Sequence, residues 1–212
     1  MKIYGFPLSP FVRKVLVAAQ EKDVAVELVP TNPQQPDEAF KACSPFCKIP
    51  AMDDNGFKLA DSTAIVTYLD AKYPGPSLIP DGAEARGKAI WFEEVADTVL
   101  VPAGVGMVVN RFLRPRIFKT EGDEEAAKAS EEAVKPVLQY LDGVADGGWL
   151  DGEFSVGDIA VASVLRTLGY AGWELDGAAY PRLAGWFDRV RERKGWRAAS
   201  ELEDQIFAAA GL

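Results

Sequence analysis

The sequence predicts an α/β part followed by an all-helical part, and three observations carry that reading. Before residue 74 the hydrophobic period switches between 2 and 3.6. A Pro/Gly-rich stretch, Pro74–Gly82, then interrupts the chain, and beyond it only helical periods occur. The first domain is placed at residues 1–77, a linker at 78–84 and the helical domain at 85–212.

Lys2–Tyr4 is a short strand that runs into Gly5 and Pro7. Val12, Val15, Leu16 and Ala19 fall at i, i+3, i+4 and i+7, one face of a helix. Val24–Val29 alternates, with Val24, Val26 and Leu28 on one side, as a half-buried strand does. Thr31–Asp37 holds two prolines directly after Pro30 and reads as loop, and a second helix follows it in the expected order. Ala51–Asp53 and Phe57–Leu59 flank Asp54-Asn55-Gly56, a hairpin signal, because Asn-Gly accepts the positive φ of a tight turn. Ile65, Tyr68, Leu69 and Lys72 mark a helix that stops before Pro74-Gly75-Pro76.

In the second part Phe92, Val95 and Val99 mark one helix, with a kink expected at Pro102. Val134, Val137, Leu138, Leu141 and Val144 mark another, in conflict with an unbent helix at Pro136. Val161, Leu165 and Leu168 mark a third, and Leu183, Trp186, Phe187 and Val190 a fourth. Phe154-Ser155-Val156-Gly157-Asp158-Ile159 reads as a helix start. Ser155 is the N-cap, Asp158 completes a capping box, and Phe154 with Ile159 forms a hydrophobic staple.

Composition narrows the function. Apolar residues make up 48% and charged residues 26%, which fits a globular domain and excludes disorder by composition. With 23 Lys+Arg against 32 Asp+Glu the net charge is −9, which argues against nucleic acid or an anionic membrane as partner. The chain has no histidine, so a Ser-His-Asp triad, a Cys-His pair and a histidine-ligated metal are excluded. Two cysteines build neither a disulfide framework nor a zinc site, so no metal is expected. Free cysteines, no signal-peptide pattern and no 20-residue apolar run point to the cytoplasm.

Three short stretches offer chemistry. In Phe6-Pro7-Leu8-Ser9-Pro10-Phe11, Pro10 suits the first helical position and Ser9 the N-cap. The same helix start carries free N–H groups and partial positive charge, so Ser9 also reads as a donor to an anion such as a thiolate. It is no nucleophile, since the chain has no histidine to act as its base. In Lys48-Ile49-Pro50-Ala51, a proline at the start of a strand is a candidate cis bond. A cis turn there leaves the Ile49 amide and carbonyl to pair with an extended ligand, whereas a trans edge proline does not. In Ala60-Asp61-Ser62-Thr63, the pair at the helix start is either a simple cap or a site where Ser62 meets a carboxylate and Asp61 an ammonium. Cys43 and Cys47 read as small side chains or, for Cys47, as a redox-sensitive thiol.

Together, Ser-Pro-Phe, Lys-Ile-Pro and Asp-Ser in this order, with FSVGDIA in a helical second part, resemble the cytosolic glutathione S-transferase family. The stretch KIYGFPLSPFVRKVLVAAQEK is most similar to the serine-type members, especially the phi and tau classes, and the resemblance implies a bacterial one. The resemblance implies a thioredoxin-like N-terminal domain, an all-helical C-terminal domain and a homodimer. It implies that Ser9 holds the glutathione thiolate and that Ile49, before cis-Pro50, pairs with the cysteinyl backbone. Asp61 and Ser62 would then hold the γ-glutamyl end, and Lys48 with Gln35 the glycyl end. Phe46 resembles the aromatic key that enters the partner subunit, although it reads equally as core. An apolar electrophile pocket is expected from Phe6, Phe11, Val105, Met107, Val108 and Phe112. The stretch Pro33–Asp37 lacks the basic residues that phi-class members carry there. Three functions follow: glutathione conjugation to an apolar electrophile, a glutathione-dependent thiol reductase using Cys47, and a non-catalytic binding module.

Overall fold

The computed structural model describes residues 1–211, the side chain of Ala210 apart; residue 212, the last of the expected helical domain, lies outside them. The chain forms two compact units, residues 1–79 with 192–211, and residues 80–191.

In the first unit β1 (Lys2–Gly5) leads into α1 (Pro10–Glu21), β2 (Glu27–Pro30) and α2 (Glu38–Cys43). A hairpin of β3 (Ala51–Asp54) and β4 (Phe57–Ala60) then precedes α3 (Ser62–Lys72). The sheet order is β2-β1-β3-β4. β1 runs parallel to β2, pairing Gly5 with Pro30, and antiparallel to β3, pairing Tyr4 with Ala51. β3 and β4 are antiparallel, pairing Ala51 with Ala60. Ile3, Val12, Val15, Leu16, Met52, Ile65 and Leu69 are fully buried, so the helices cover the sheet with the faces their periods predict. Gly5 is required by close approach, since a Cβ there would stand 2.5 Å from Val12 Cγ2.

The hairpin turn is two residues, Asn55 (φ 53°) and Gly56 (φ 92°), as the Asn-Gly pair demands. Asp54 closes it and ties it to α3. Its carboxylate accepts from Tyr68 Oη (2.8 Å), Tyr73 Oη (2.7 Å) and Lys72 Nζ (2.5 Å). Burial pushes this carboxyl up, but the hydrogen bonds from Lys72, Tyr73 and Tyr68 outweigh it and hold the pKa down at about 2.

The second strand is shorter than its alternation suggests. Residues 24–26 lie outside the ladder, which begins with Lys2 opposite Glu27, and reach that side only through the Ala25 carbonyl, which accepts from the Met1 amine (3.5 Å). Asp23 takes φ 55° and the Val24 amide bonds to the Ala19 carbonyl (2.9 Å), so this segment closes the end of α1 instead.

The second unit holds α4 (Ala83–Glu94), α5 (Val101–Val108), α6 (Glu124–Val144), α7 (Val156–Gly169) and α8 (Pro181–Glu192). The kink expected at Pro102 takes the form of a π-helical segment, Val95–Leu100, directly before α5. A second, Val109–Phe118, contains Pro115. A proline ring clashes with the carbonyl four residues back in an α register, and a wider turn relieves this. Pro136 behaves differently. α6 runs through it as one helix, with Pro136 exposed and Val134, Leu138 and Leu141 buried.

α7 starts as the sequence indicates. Ser155 is the N-cap, the reciprocal capping box with Asp158 is present, and Phe154 and Ile159 are buried. Asp158 does more than cap. Its Oδ1 accepts from Leu150 N (3.0 Å) and Trp186 Nε1 (2.7 Å), and its Oδ2 from Ser155 N (2.9 Å). Burial pushes its carboxyl above the usual range, against the pull of these donors.

A final helix, α9 (Lys194–Ala210), has no counterpart in the helical pattern of the sequence. The division at 78–84 assigns it to the helical domain, but residues 192–211 pack with the first unit, on α1. Charge pairs guide it there: Arg193 to Glu21 (2.6 Å) and Lys194 to Asp23 (2.8 Å).

Candidate active site

The register of the sheet decides where the three chemical stretches meet. β1, β2 and β4 finish, and β3 begins, at the same end of the sheet, since Gly5 faces Pro30 while Ala51 faces both Tyr4 and Ala60. The connections leaving that end are Phe6–Ser9, the 31–37 loop, Lys48-Ile49-Pro50 and Asp61. Two backbone bonds link them: Asp61 N to the Pro50 carbonyl (3.3 Å) and Thr31 N to the Gly5 carbonyl (3.1 Å). The N-termini of α1 and α3 open at this end and bring their unpaired N–H groups and partial positive charge with them.

Ser9 occupies the N-cap of α1 with extended backbone (φ −70°, ψ 125°). Its side chain makes no capping hydrogen bond, so the hydroxyl is not committed to the helix. Pro10 follows at the first helical position and has no N–H to satisfy. The backbone of Ser9 is held on both sides. Its amide bonds to the Phe6 carbonyl and its carbonyl accepts from Arg13 N, both at 3.0 Å.

The Ile49-Pro50 bond is cis. Ile49 lies outside the β3 ladder, which begins at Ala51. Ser44 supports this turn, donating its hydroxyl to the Lys48 carbonyl (2.8 Å) and accepting from Lys48 N (2.9 Å). Lys48 and Gln35 are both exposed. Lys41, on α2, is bound to Glu38 (2.8 Å).

Asp61 is the N-cap of α3, accepting from Thr63 N (2.9 Å) and Ala64 N (3.2 Å). Its backbone is unusual, at φ 81° and ψ 132°. A non-glycine residue held there costs on the order of 1–3 kcal/mol, and such strain concentrates at binding sites. Ser62 follows as the first helical residue and is buried. The strain at Asp61 is a site feature that no sequence pattern announces.

The other expected residues divide. Tyr4 is buried against Phe40, with its hydroxyl pKa raised by burial, so it belongs to the core. Cys43 is buried in the same cluster, its thiol also pushed up by burial, and the half-buried Cys47 packs against it. Phe46 stands 86% exposed. Phe6 and Phe11 are half-buried in the first unit. In the second unit Val105 is 45% exposed, whereas Met107, Val108 and Phe112 are buried, with Phe112 against Tyr170 (ring centroids 5.6 Å). Among the described residues no group of three Cys, Asp or Glu could hold a metal, and no helix is long and apolar enough to cross a membrane.

A four-stranded mixed sheet with a cis-proline entering its third strand, followed by a run of helices, defines a thioredoxin-like domain joined to an all-helical domain. Family models agree: the glutathione S-transferase N-terminal domain matches residues 3–77 and the C-terminal domain residues 124–189. The chain is 31% identical to glutathione S-transferase 3 of Zea mays, over 93% of this chain and 91% of that one. It superposes on a glutathione S-transferase from Rhodospirillum rubrum F11 with a TM-score of 0.85, at 28% identity, covering 93% of this chain and 90% of the other. A structure from Methylobacillus flagellatus KT, described as having GSH bound, gives a TM-score of 0.77 at 29% identity, over 93% and 98% of the two chains. The chain belongs to the glutathione S-transferase family and is an enzyme of that kind.

Proposed function

We propose that this transferase binds glutathione at the sheet end described above and that the Ser9 hydroxyl donates to its thiolate. The observation that carries this reading is the uncommitted hydroxyl of Ser9 at a helix N-terminus, on the same end as Ile49 and Asp61. Ile49 pairs through its backbone with the cysteinyl unit. Asp61 and Ser62 take the γ-glutamyl end, and Lys48 with Gln35 the glycyl carboxylate. The thiol gives its proton to water. The sulfur then attacks an electrophilic carbon of an apolar substrate, a C–S bond forms, and the leaving group departs with its electron pair.

Magnitudes limit what Ser9 does. A free thiol near pKa 8.5 is about 3% ionised at pH 7. Lowering it by two units needs about 2.7 kcal/mol. A hydrogen bond to a charged group supplies roughly 1.5–3 kcal/mol and a helix terminus roughly 0.3–1. The thiolate gain is roughly 25-fold, and with a Brønsted slope near 0.45 about eightfold is returned as lost nucleophilicity. The net is about threefold, so positioning of the electrophile supplies most of the acceleration.

The test is Ser9→Ala in the full chain, with glutathione binding measured by calorimetry and thiolate absorbance read against pH. Binding is expected to persist while the thiolate midpoint rises towards 8.5. An unchanged midpoint refutes the role of Ser9. The exposed Phe46 supports a homodimer in which this ring inserts into the second subunit.

A further inference from the structure

We propose that α9 is a positioning element for Ser9, with Glu203 and Phe207 on one of its faces holding the two residues that fix the Ser9 backbone. The inference rests on the reading of Ser9 as the thiolate ligand.

The backbone of Ser9 has two anchors, the Phe6 carbonyl that accepts its amide and the Arg13 amide that donates to its carbonyl. The side chains of both anchors meet α9. The Phe6 ring packs edge-on against Phe207, centroid to centroid 5.5 Å, and Phe207 is buried. The Arg13 guanidinium pairs with Glu203, and each of these side chains is 1% exposed. It also lies 4.9 Å above the Trp196 ring and donates to Ser200 Oγ (3.4 Å). Glu203 and Phe207 are four residues apart, so one turn of α9 carries both contacts.

The contacts also fix the register of α9. Glu21 meets Arg193 and Gly195 while Arg13 meets Glu203, so the two helices run in opposite directions. Gly195 allows this closeness, since a Cβ there would stand 2.7 Å from Glu21 Cγ. Apolar packing alone tolerates sliding, but a buried ion pair does not, because a shift of one turn strands two charges. Arg13–Glu203 therefore sets the register, and the register sets Phe207 against Phe6. A hydrophobic pair at 13 and 203 would glue the helices as well, so the ion pair is better understood as a specificity device than as glue.

Loss of the Phe207 ring is expected to let the Phe6–Ser9 turn relax and to weaken the hydroxyl's hold on the thiolate. Ile49 and Asp61 do not touch α9 in any contact described above, so glutathione affinity is expected to change less than the thiolate midpoint. The experiment compares Phe207→Ala, Phe207→Leu, Ser9→Ala and the double variant in the full chain, using thiolate absorbance against pH with glutathione bound. Phe207→Ala is expected to raise the midpoint by half a unit or more, roughly a threefold fall in the thiolate-to-thiol ratio below it. Phe207→Leu restores most of the shift, and Phe207→Ala adds nothing in the Ser9→Ala background. Where Phe207→Ala does not fold, Phe207→Val carries the same readout. A midpoint that moves in Ser9→Ala but not with loss of the ring overturns the positioning role alone. A midpoint unmoved in Ser9→Ala overturns the thiolate reading and this one with it.

Discussion

Replacing Asp158 with alanine is expected to be among the most damaging single changes in the helical unit, and the geometry gives its size. The carboxylate is 0% exposed and serves the Leu150 amide, the Ser155 amide and the Trp186 indole. Each donor left unpaired in a dry site costs about 1–3 kcal/mol. Relief from burying the charge, visible in the raised pKa, offsets part of this. The net for Asp158→Ala is about 4 kcal/mol. Asparagine separates the contributions. Leu150 and Trp186 share Oδ1, which the Asn carbonyl oxygen reproduces; on the other side the Ser155 amide faces an NH2 group, while the Ser155 hydroxyl, which donates to Oδ2 at 3.4 Å, can turn to accept from it. Asp158→Asn is therefore expected to cost about 1–3 kcal/mol, one mismatched donor. Urea unfolding followed by tryptophan fluorescence reads both. With a slope of about 2 kcal/mol per molar, the alanine midpoint falls by about 2 M and the asparagine midpoint by about half that. An alanine variant within about 0.5 kcal/mol of wild type, or an asparagine variant as damaged as alanine, would refute the reasoning.

Two further predictions follow from the first unit. Asp54 has a folded pKa of about 2 against an ordinary 3.8, so its contribution is present above the unfolded value and lost as pH falls through the folded one. That contribution is about 2 kcal/mol, and the stability gap between wild type and Asp54→Asn is expected to narrow from pH 5 to about pH 2, read by urea titration at each pH. Phe46→Ser removes an 86% exposed ring from each subunit, and if burial of each ring contributes about 2 kcal/mol, the two-fold dimer loses about 4 kcal/mol and its dissociation constant rises about 1,000-fold in sedimentation equilibrium. No change in the constant places the subunit contact elsewhere.

The backbone at the candidate site is set by local chemistry, and that is why the two helix N-caps and the cis bond were legible. Ser9 before Pro10, Ile49 before Pro50 and Asp61 before a helical period each report their backbone through neighbours in sequence. So does the Ser155–Asp158 capping box. What escaped depends on distant partners. The buried face of α9 reads Trp196, Ala199, Glu203, Phe207, and a charge in the middle of it breaks the apolar stripe. Glu203 is tolerable there only because Arg13 arrives from the far end of the chain. Residues 24–26, outside the ladder, escaped for a similar reason, since alternation does not show where the neighbouring strand begins. Pro102 and Pro136 show that one breaker residue has two outcomes, a π-helical segment or an unbroken helix.

The return of α9 to the first unit has a consequence for the order in which the molecule can be made. Synthesis delivers residues 80–191 before residues 192–211, so the helical unit is complete on the ribosome while the first unit still lacks a helix. During that interval Arg13 and Glu21, buried in the finished protein, have no counterions from α9. A nascent or prematurely ended chain can carry every residue from Ser9 to Ser62 and still lack the contacts that brace the Ser9 turn. The helix that covers α1 is thus made long after α1 itself, and the first unit closes only after the helical unit between them has been translated.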